Sequence, residues 1–167
     1  MTSQAELLPT DVATSSRTLA NVLITQELYV RRSRLPNYAA ENEALYALAG
    51  TLSESPQAVF QTLVQKVLEL TGADSTGISV AEKDGNEEIF RWYATAGKFS
   101  RYIGGTMRRR FSPCGTVLDR NESLLMRDPE QYYPFGQELC NPIKEVLLVP
   151  FYREGIAIGT VWTGGGG

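Results

Sequence analysis

Residues 73–99 read ADSTGISVAEKDGNEEIFRWYATAGKF, and the reading of this stretch decides the fold. Small and apolar residues alternate through Gly77, Ile78, Ser79 and Val80, the period-two pattern of a half-buried strand. Lys83-Asp84-Gly85-Asn86 is a turn signature, and Ile89, Phe90, Trp92 and Tyr93 then supply a strand-forming return over residues 88–96. The stretch predicts a β-hairpin.

Upstream the period is helical. Ser55 suits an N-cap, Pro56 the first helical position and Gly72 a left-handed stop. Between them Val59, Phe60, Leu63, Val64, Val67 and Leu68 make a doubled i, i+4 stripe, so residues 56–71 predict a helix with one buried face. Two further helices are expected over 18–32 and 38–52, separated by the Pro36 break, with Leu45, Leu48 and Leu52 down one side of the second. Downstream, Gly104-Gly105 interrupts the chain before a short extended piece to Phe111, and Ser112-Pro113 opens a short helix over 114–120. A small strand at 124–126 and a loop rich in Pro and Tyr lead to a second hairpin, 145–151 and 156–162, turning at Arg153-Glu154-Gly155. The order predicts an α+β fold: an antiparallel sheet of about five or six strands, helices on one face and a loop-plus-helix insertion on the other.

Composition narrows the function. The 167 residues are 43% hydrophobic, enough for one core without disulfides or metal. A net charge of −3 argues against a nucleic-acid partner. No histidine is present, which removes Ser-His-Asp and Cys-His catalysis, His-containing zinc sites and axial His ligation of haem. Two cysteines, Cys114 and Cys140, make neither a disulfide framework nor a Cys₄ metal site, so no metal is expected. Residues 1–16 form a polar lead without an apolar signal core, and no run approaches the length of a membrane span. The expected setting is soluble, cytoplasmic and reducing.

Three separated segments resemble the GAF domain, a small-molecule sensor module. They are residues 73–99, FSPCGTVLDRNESLLMRDPEQYYPF at 111–135 and EVLLVPFYREGIAIGTVW at 145–162. They are similar, in order, to that family's first hairpin, its helix with the following RN-x-LL turn, and its closing hairpin. Residues 56–71 match the family's opening helix. The resemblance covers about 110 residues and is nearest to the N-terminal sensor domains of bacterial sensor histidine kinases. It implies a GAF-like, PAS-related domain over 55–163, preceded by a flexible lead (1–16) and a helical extension (17–54). Gly164 to Gly167 would then form a tail, a truncation or linker with neither the family's C-terminal helix nor an output domain.

The resemblance places a ligand between the sheet and the insertion. Residues matching those positions are Trp92, Tyr93, Phe99, Tyr102, Phe111, Tyr132, Tyr133, Phe135 and Phe151, with Val117 beside them. These rings either line a pocket or fill the core under a long loop. Cys114, at a helix start that favours a thiolate, is a redox sensor, a thioether attachment point or a small buried residue. Arg108 and Arg110 would share one face of an extended rim and could clamp an anion, or simply solvate an edge strand. Asp119, Arg120 and Glu122 suggest a local ion pair.

The resulting expectation is a regulatory module, sensing an unknown small molecule or redox state in bacterial signal transduction. The alternatives are a dimerisation module whose pocket its own side chains fill and a bilin photosensor through Cys114. A bilin Cys in the related photoreceptors is commonly followed by His, whereas Gly115 follows here. A GAF-fold methionine sulfoxide reductase ranks last, because the cysteine spacing differs. The Asn-Lys-x-x-x-Phe-x-x-x-Asp-Glu pattern of cyclic-nucleotide-binding relatives is missing, so no cAMP or cGMP binding is expected. The apolar N-terminal helices predict a homodimer through the 18–52 region.

Overall fold

The computed structural model describes residues 18–134 and 142–166. The chain runs α1 (Leu19–Val22), α2 (Glu27–Val30), α3 (Tyr38–Thr51), α4 (Pro56–Thr71), β1 (Ser75–Asp84), β2 (Glu87–Gly97), β3 (Thr106–Arg108), α5 (Pro113–Arg120), β4 (Leu124–Arg127), β5 (Glu145–Arg153) and β6 (Ile156–Gly165). The six strands form one antiparallel sheet in the order β3-β2-β1-β6-β5-β4. Both predicted hairpins are present. The second closes on Glu154 and Gly155, both at positive φ, as a two-residue turn matched to strand twist requires.

Each face of the sheet carries its own core. On one face α4 lays Phe60, Leu63, Val64 and Leu68 against Ile78, Val80, Ala94, Ala96 and Val161. The helix is held as its sequence implies: Ser55 Oγ accepts from Ala58 N–H, and Gly72 ends the helix at φ 66°. On the other face α5 and the connecting loops cover Phe90, Phe99, Cys114, Val117, Leu148 and Trp162, and Trp92 packs against Phe99 and Trp162. Helix α3 packs on α4 but buries only Ala44. Its stripe turns outward instead, with Tyr38, Leu45, Tyr46 and Leu52 all exposed.

Two expectations are corrected. The helix expected over 18–32 is broken into the single turns α1 and α2, and Leu23 between them is extended and bridges Met126. Ile24 N–H donates to the Leu125 carbonyl (2.9 Å), and Thr25 Oγ1 accepts from Leu125 N–H (3.1 Å). The edge of β4 offers backbone groups that need partners, and supplying them outweighs a continuous helix. Val22 is thereby buried at 1% exposure in the core with Val117 and Leu124. The glycine tail is the second correction. Gly164 and Gly165 pair with Val146 and Glu145 in the sheet, and Gly166 N–H donates to Asp74 Oδ2 (3.1 Å).

Arg31 joins Glu27 and Glu145, and Arg127 reaches Glu27 (3.0 Å) and Glu145 (3.7 Å), tying α2 to the sheet end. The Arg31 guanidinium holds both carboxylates below their usual range, while the Gly166 N–H and Lys98 do so at Asp74. Carboxylates depressed in the folded state stabilise it above the ordinary carboxylate pKa and lose that contribution as pH falls through the lowered values. The melting midpoint should therefore fall between about pH 5 and about pH 3, and Glu27→Gln with Glu145→Gln should flatten that slope. The pairs are substantially solvent-exposed, so added salt should shrink the difference.

Candidate functional site

A β-bulge decides which aromatic residues meet. Ile78 pairs with Ala94 and Ser79 with Trp92, which leaves Tyr93 as an extra residue in β2. Phe90 and Trp92 face the insertion, Trp92 through its contacts with Phe99 and Trp162, whereas Ala94 and Ala96 face α4. Tyr93 goes with the helix side, its ring edge-on to Phe60 (5.8 Å) and its hydroxyl donating to Glu82. Phe151 also packs on the α4 side. Neither residue shares a chamber with Trp92.

The rings that do come together are Trp92, Phe99, Tyr102 and Trp162. Phe99 lies 5.4 Å from Trp162 and 6.4 Å from Trp92, in edge-to-face geometry, and Tyr102 closes the group 5.2 Å from Phe99. Trp162 lies across Gly77, where a Cβ would fall 2.6 Å from the indole Cε2. Its Nε1–H donates to Ser79 Oγ (3.1 Å). Beneath the rings is a void of about 30 Å³, bounded by Trp92, Phe99, Cys114, Ile143, Leu148 and Trp162. A neighbouring hollow of about 130 Å³ shares Phe99, Ile143 and Trp162 and ends at the Lys98–Asp74 pair.

Cys114 sits at the start of α5 with its side chain buried, and Thr160 Oγ1–H donates to its sulfur (3.2 Å). The expected thiolate is not favoured: burial pushes the thiol up, outweighing the hydrogen bonds from Thr160 and Ser79. At neutral pH iodoacetamide should label Cys114 at least about 100-fold more slowly than an exposed thiol, because reaction waits on opening of the core. Peptide mapping by mass spectrometry, with and without denaturant, reads this site alone. Fast native labelling at Cys114 would contradict the burial.

Val117 is fully buried in the same core, and Tyr133 hydrogen-bonds Thr116 Oγ1 (2.8 Å), burial pushing its hydroxyl up to about 12. Tyr132 packs edge-on to Tyr133 at 4.8 Å. Phe135 and Cys140 lie outside the described residues.

The rim departs from the extended-strand expectation. β3 ends at Arg108 and the backbone turns at Phe111, φ 56°, so all three arginines border one open cleft of about 820 Å³. Arg108 approaches Glu87 (3.7 Å), Arg109 ties to Asp119 (2.7 Å) and Glu88 (3.7 Å), and Arg110 lies over the Phe111 ring. Arg120 approaches Glu122 at 3.7 Å. Trp162 is the main residue that sequence reasoning missed. The signal was present in the alternation of Thr160 and Trp162 against Val161, opposite a glycine in β1. Among the described residues no cluster of three metal-ligating side chains exists, and no helix is long and apolar enough to cross a membrane.

The family model for the GAF domain matches residues 55–164. The chain belongs to the GAF domain family. Similar solved structures include the GAF domain of an Acinetobacter phosphoenolpyruvate-protein phosphotransferase, at 14% identity and TM-score 0.62, with 78% of each chain covered. An NreA protein from Staphylococcus aureus, mutated in its nitrate-binding site, matches at 20% identity and TM-score 0.52, covering 64% of this chain and 82% of that one. A free methionine-R-sulfoxide reductase from Neisseria meningitidis, solved with its substrate, matches at 12% identity and TM-score 0.55, covering 81% and 78%. No curated protein matches the chain. At these identities the likeness is one of fold, and this GAF domain's own residues must carry any statement about its site.

Proposed function

We propose that this GAF domain is a non-enzymatic regulatory module of a cytoplasmic bacterial signalling protein, as in the sensor histidine kinases, and that it responds to a small uncharged ligand. The observation that carries the reading is the box of Trp92, Phe99 and Trp162 over a void lined by apolar groups and the Cys114 sulfur. A void of about 30 Å³ admits only a few heavy atoms, and among the described residues its walls hold no charged side chain. A cyclic nucleotide or a bilin would have to displace the rings. A reductase role finds no support at Cys114, whose buried sulfur is the acceptor of the Thr160 hydrogen bond.

Both tryptophans of the chain, Trp92 and Trp162, line this void, so intrinsic fluorescence reports its occupancy. Freshly purified protein analysed by native mass spectrometry should carry a small adduct, and its removal should shift the tryptophan emission. A bare protein whose emission is unmoved by a panel of small apolar probes would overturn the ligand reading. Val117→Trp would not report on the box, because Val117 lies outside its lining and overpacking at that fully buried position costs about 1–3 kcal/mol of stability.

One observation supports the second reading, a homodimerisation module. Leu45, Tyr46 and Leu52 stand 64%, 80% and 72% exposed along α3, a stripe that a second copy would cover reciprocally. Deleting residues 1–36 does not isolate that surface, since it takes Val22 out of the core. Leu45→Glu with Leu52→Glu should yield a monomer in sedimentation; a variant that stays dimeric would exclude α3 as the interface.

A further inference from the structure

The rim cleft lies outside the aromatic box, between the β1–β2 turn, the end of β3 and the start of α5. Its charges divide into two sets. Arg108 and Arg109 are committed to Glu87, Glu88 and Asp119. Lys83 and Arg110 have no carboxylate partner among the described residues. Glu88, which faces Lys83 across the hairpin, turns to Arg109 instead. Two uncommitted cations thus border one hollow.

Phe111 adds an independent signal. A bulky side chain at positive φ is a backbone outlier that persists only where its surroundings impose it. Here Ser112 Oγ–H donates to the Arg109 carbonyl (2.8 Å) and accepts from Gly115 N–H (3.0 Å), fixing the turn on both sides. The strained turn does not bury the ring. Phe111 is 59% exposed in the cleft, with the Arg110 guanidinium 5.1 Å from its centroid. A largely exposed aromatic side chain, beside a cation over its ring, forms a surface for stacking a second flat group.

We infer that this cleft binds a phosphate monoester carrying a flat ring, its dianion between Lys83 and Arg110 and its ring against Phe111. Two cations without a carboxylate partner among the described residues match a dianion better than a carboxylate, and the Arg110 fork can donate to two phosphate oxygens. The volume of about 820 Å³ accommodates such a ligand.

Phenyl phosphate is the probe, with inorganic phosphate as the ringless arm, titrated into the isotopically labelled chain and followed by amide chemical shifts. Phenyl phosphate should shift amides of the 83–88 turn and of 109–116 saturably, and inorganic phosphate should bind at least about fivefold more weakly. Lys83→Gln with Arg110→Gln should weaken phenyl phosphate at least about tenfold. Phe111→Gly removes the ring while suiting the positive φ, so its melting midpoint should hold or rise while binding weakens about fivefold. Shifts absent from the cleft, or centred on Trp92 and Trp162, would overturn the inference. So would equal binding of the two phosphates, or binding indifferent to both variants.

Discussion

Trp162→Ala should destabilise the domain by about 4 kcal/mol, lowering the melting midpoint by about 12 °C. The indole is 5% exposed, packs against both the Phe99 and Trp92 rings, and donates its N–H to Ser79 Oγ. Truncation removes the transfer energy of one of the two largest side chains in this core, leaves a cavity above Gly77, and takes away one hydrogen-bond partner of the buried Ser79 hydroxyl. The glycine at 77 exists to admit the ring. Gly77→Ala should therefore be markedly less damaging in the Trp162→Ala background than in the native chain. A double-mutant cycle read by denaturant unfolding measures this coupling, and simple additivity would show that the ring can move aside. The variant should also empty the aromatic box, so tryptophan emission would then come from Trp92 alone.

Gly97→Ala should cost about 3 kcal/mol or more, a comparable fraction of the stability of a domain this size. Gly97 ends β2 at φ 72°, where an L side chain is strained by about 1–2 kcal/mol. A Cβ there would also overlap the Asp74 carbonyl group, 2.9 Å from its carbon. Asp74 cannot retreat easily. Its carbonyl accepts from Lys98 N–H (3.0 Å), and its carboxylate holds Lys98 Nζ (3.0 Å) and Gly166 N–H (3.1 Å). Thermal and urea unfolding should agree on the loss. A native-like midpoint would mean that the β2 end and the Asp74 loop shift together at little cost.

Features that depend on neighbours in the chain were readable from the residues. The cap at Ser55, the stop at Gly72 and the apolar stripe of α4 each act within one or two turns, and the structure reproduces them. Both hairpins followed from alternation around short turns, because cross-strand pairing there closes only a few residues of loop. The absence of histidine by itself removes the chemistries that need an imidazole.

Contacts between distant segments settled the rest. The 18–32 segment carries helical spacing, yet the open edge of β4, a hundred residues away, draws Leu23 to Thr25 into backbone pairing. Strict alternation would put Trp92 and Ala94 on one face; the bulge at Tyr93 separates them and sends Tyr93 to α4. Helix-start electrostatics favoured a thiolate at Cys114, but the sheet and α5 enclose the sulfur and desolvation prevails. The aromatic box joins Trp92 to Trp162 across the central strands, and the rim cleft joins a hairpin turn to the start of a helix. Period, cap and turn signals are local energies carried by the chain itself. Which side chains share a chamber depends on strand register and desolvation, and these exist only once remote segments have packed.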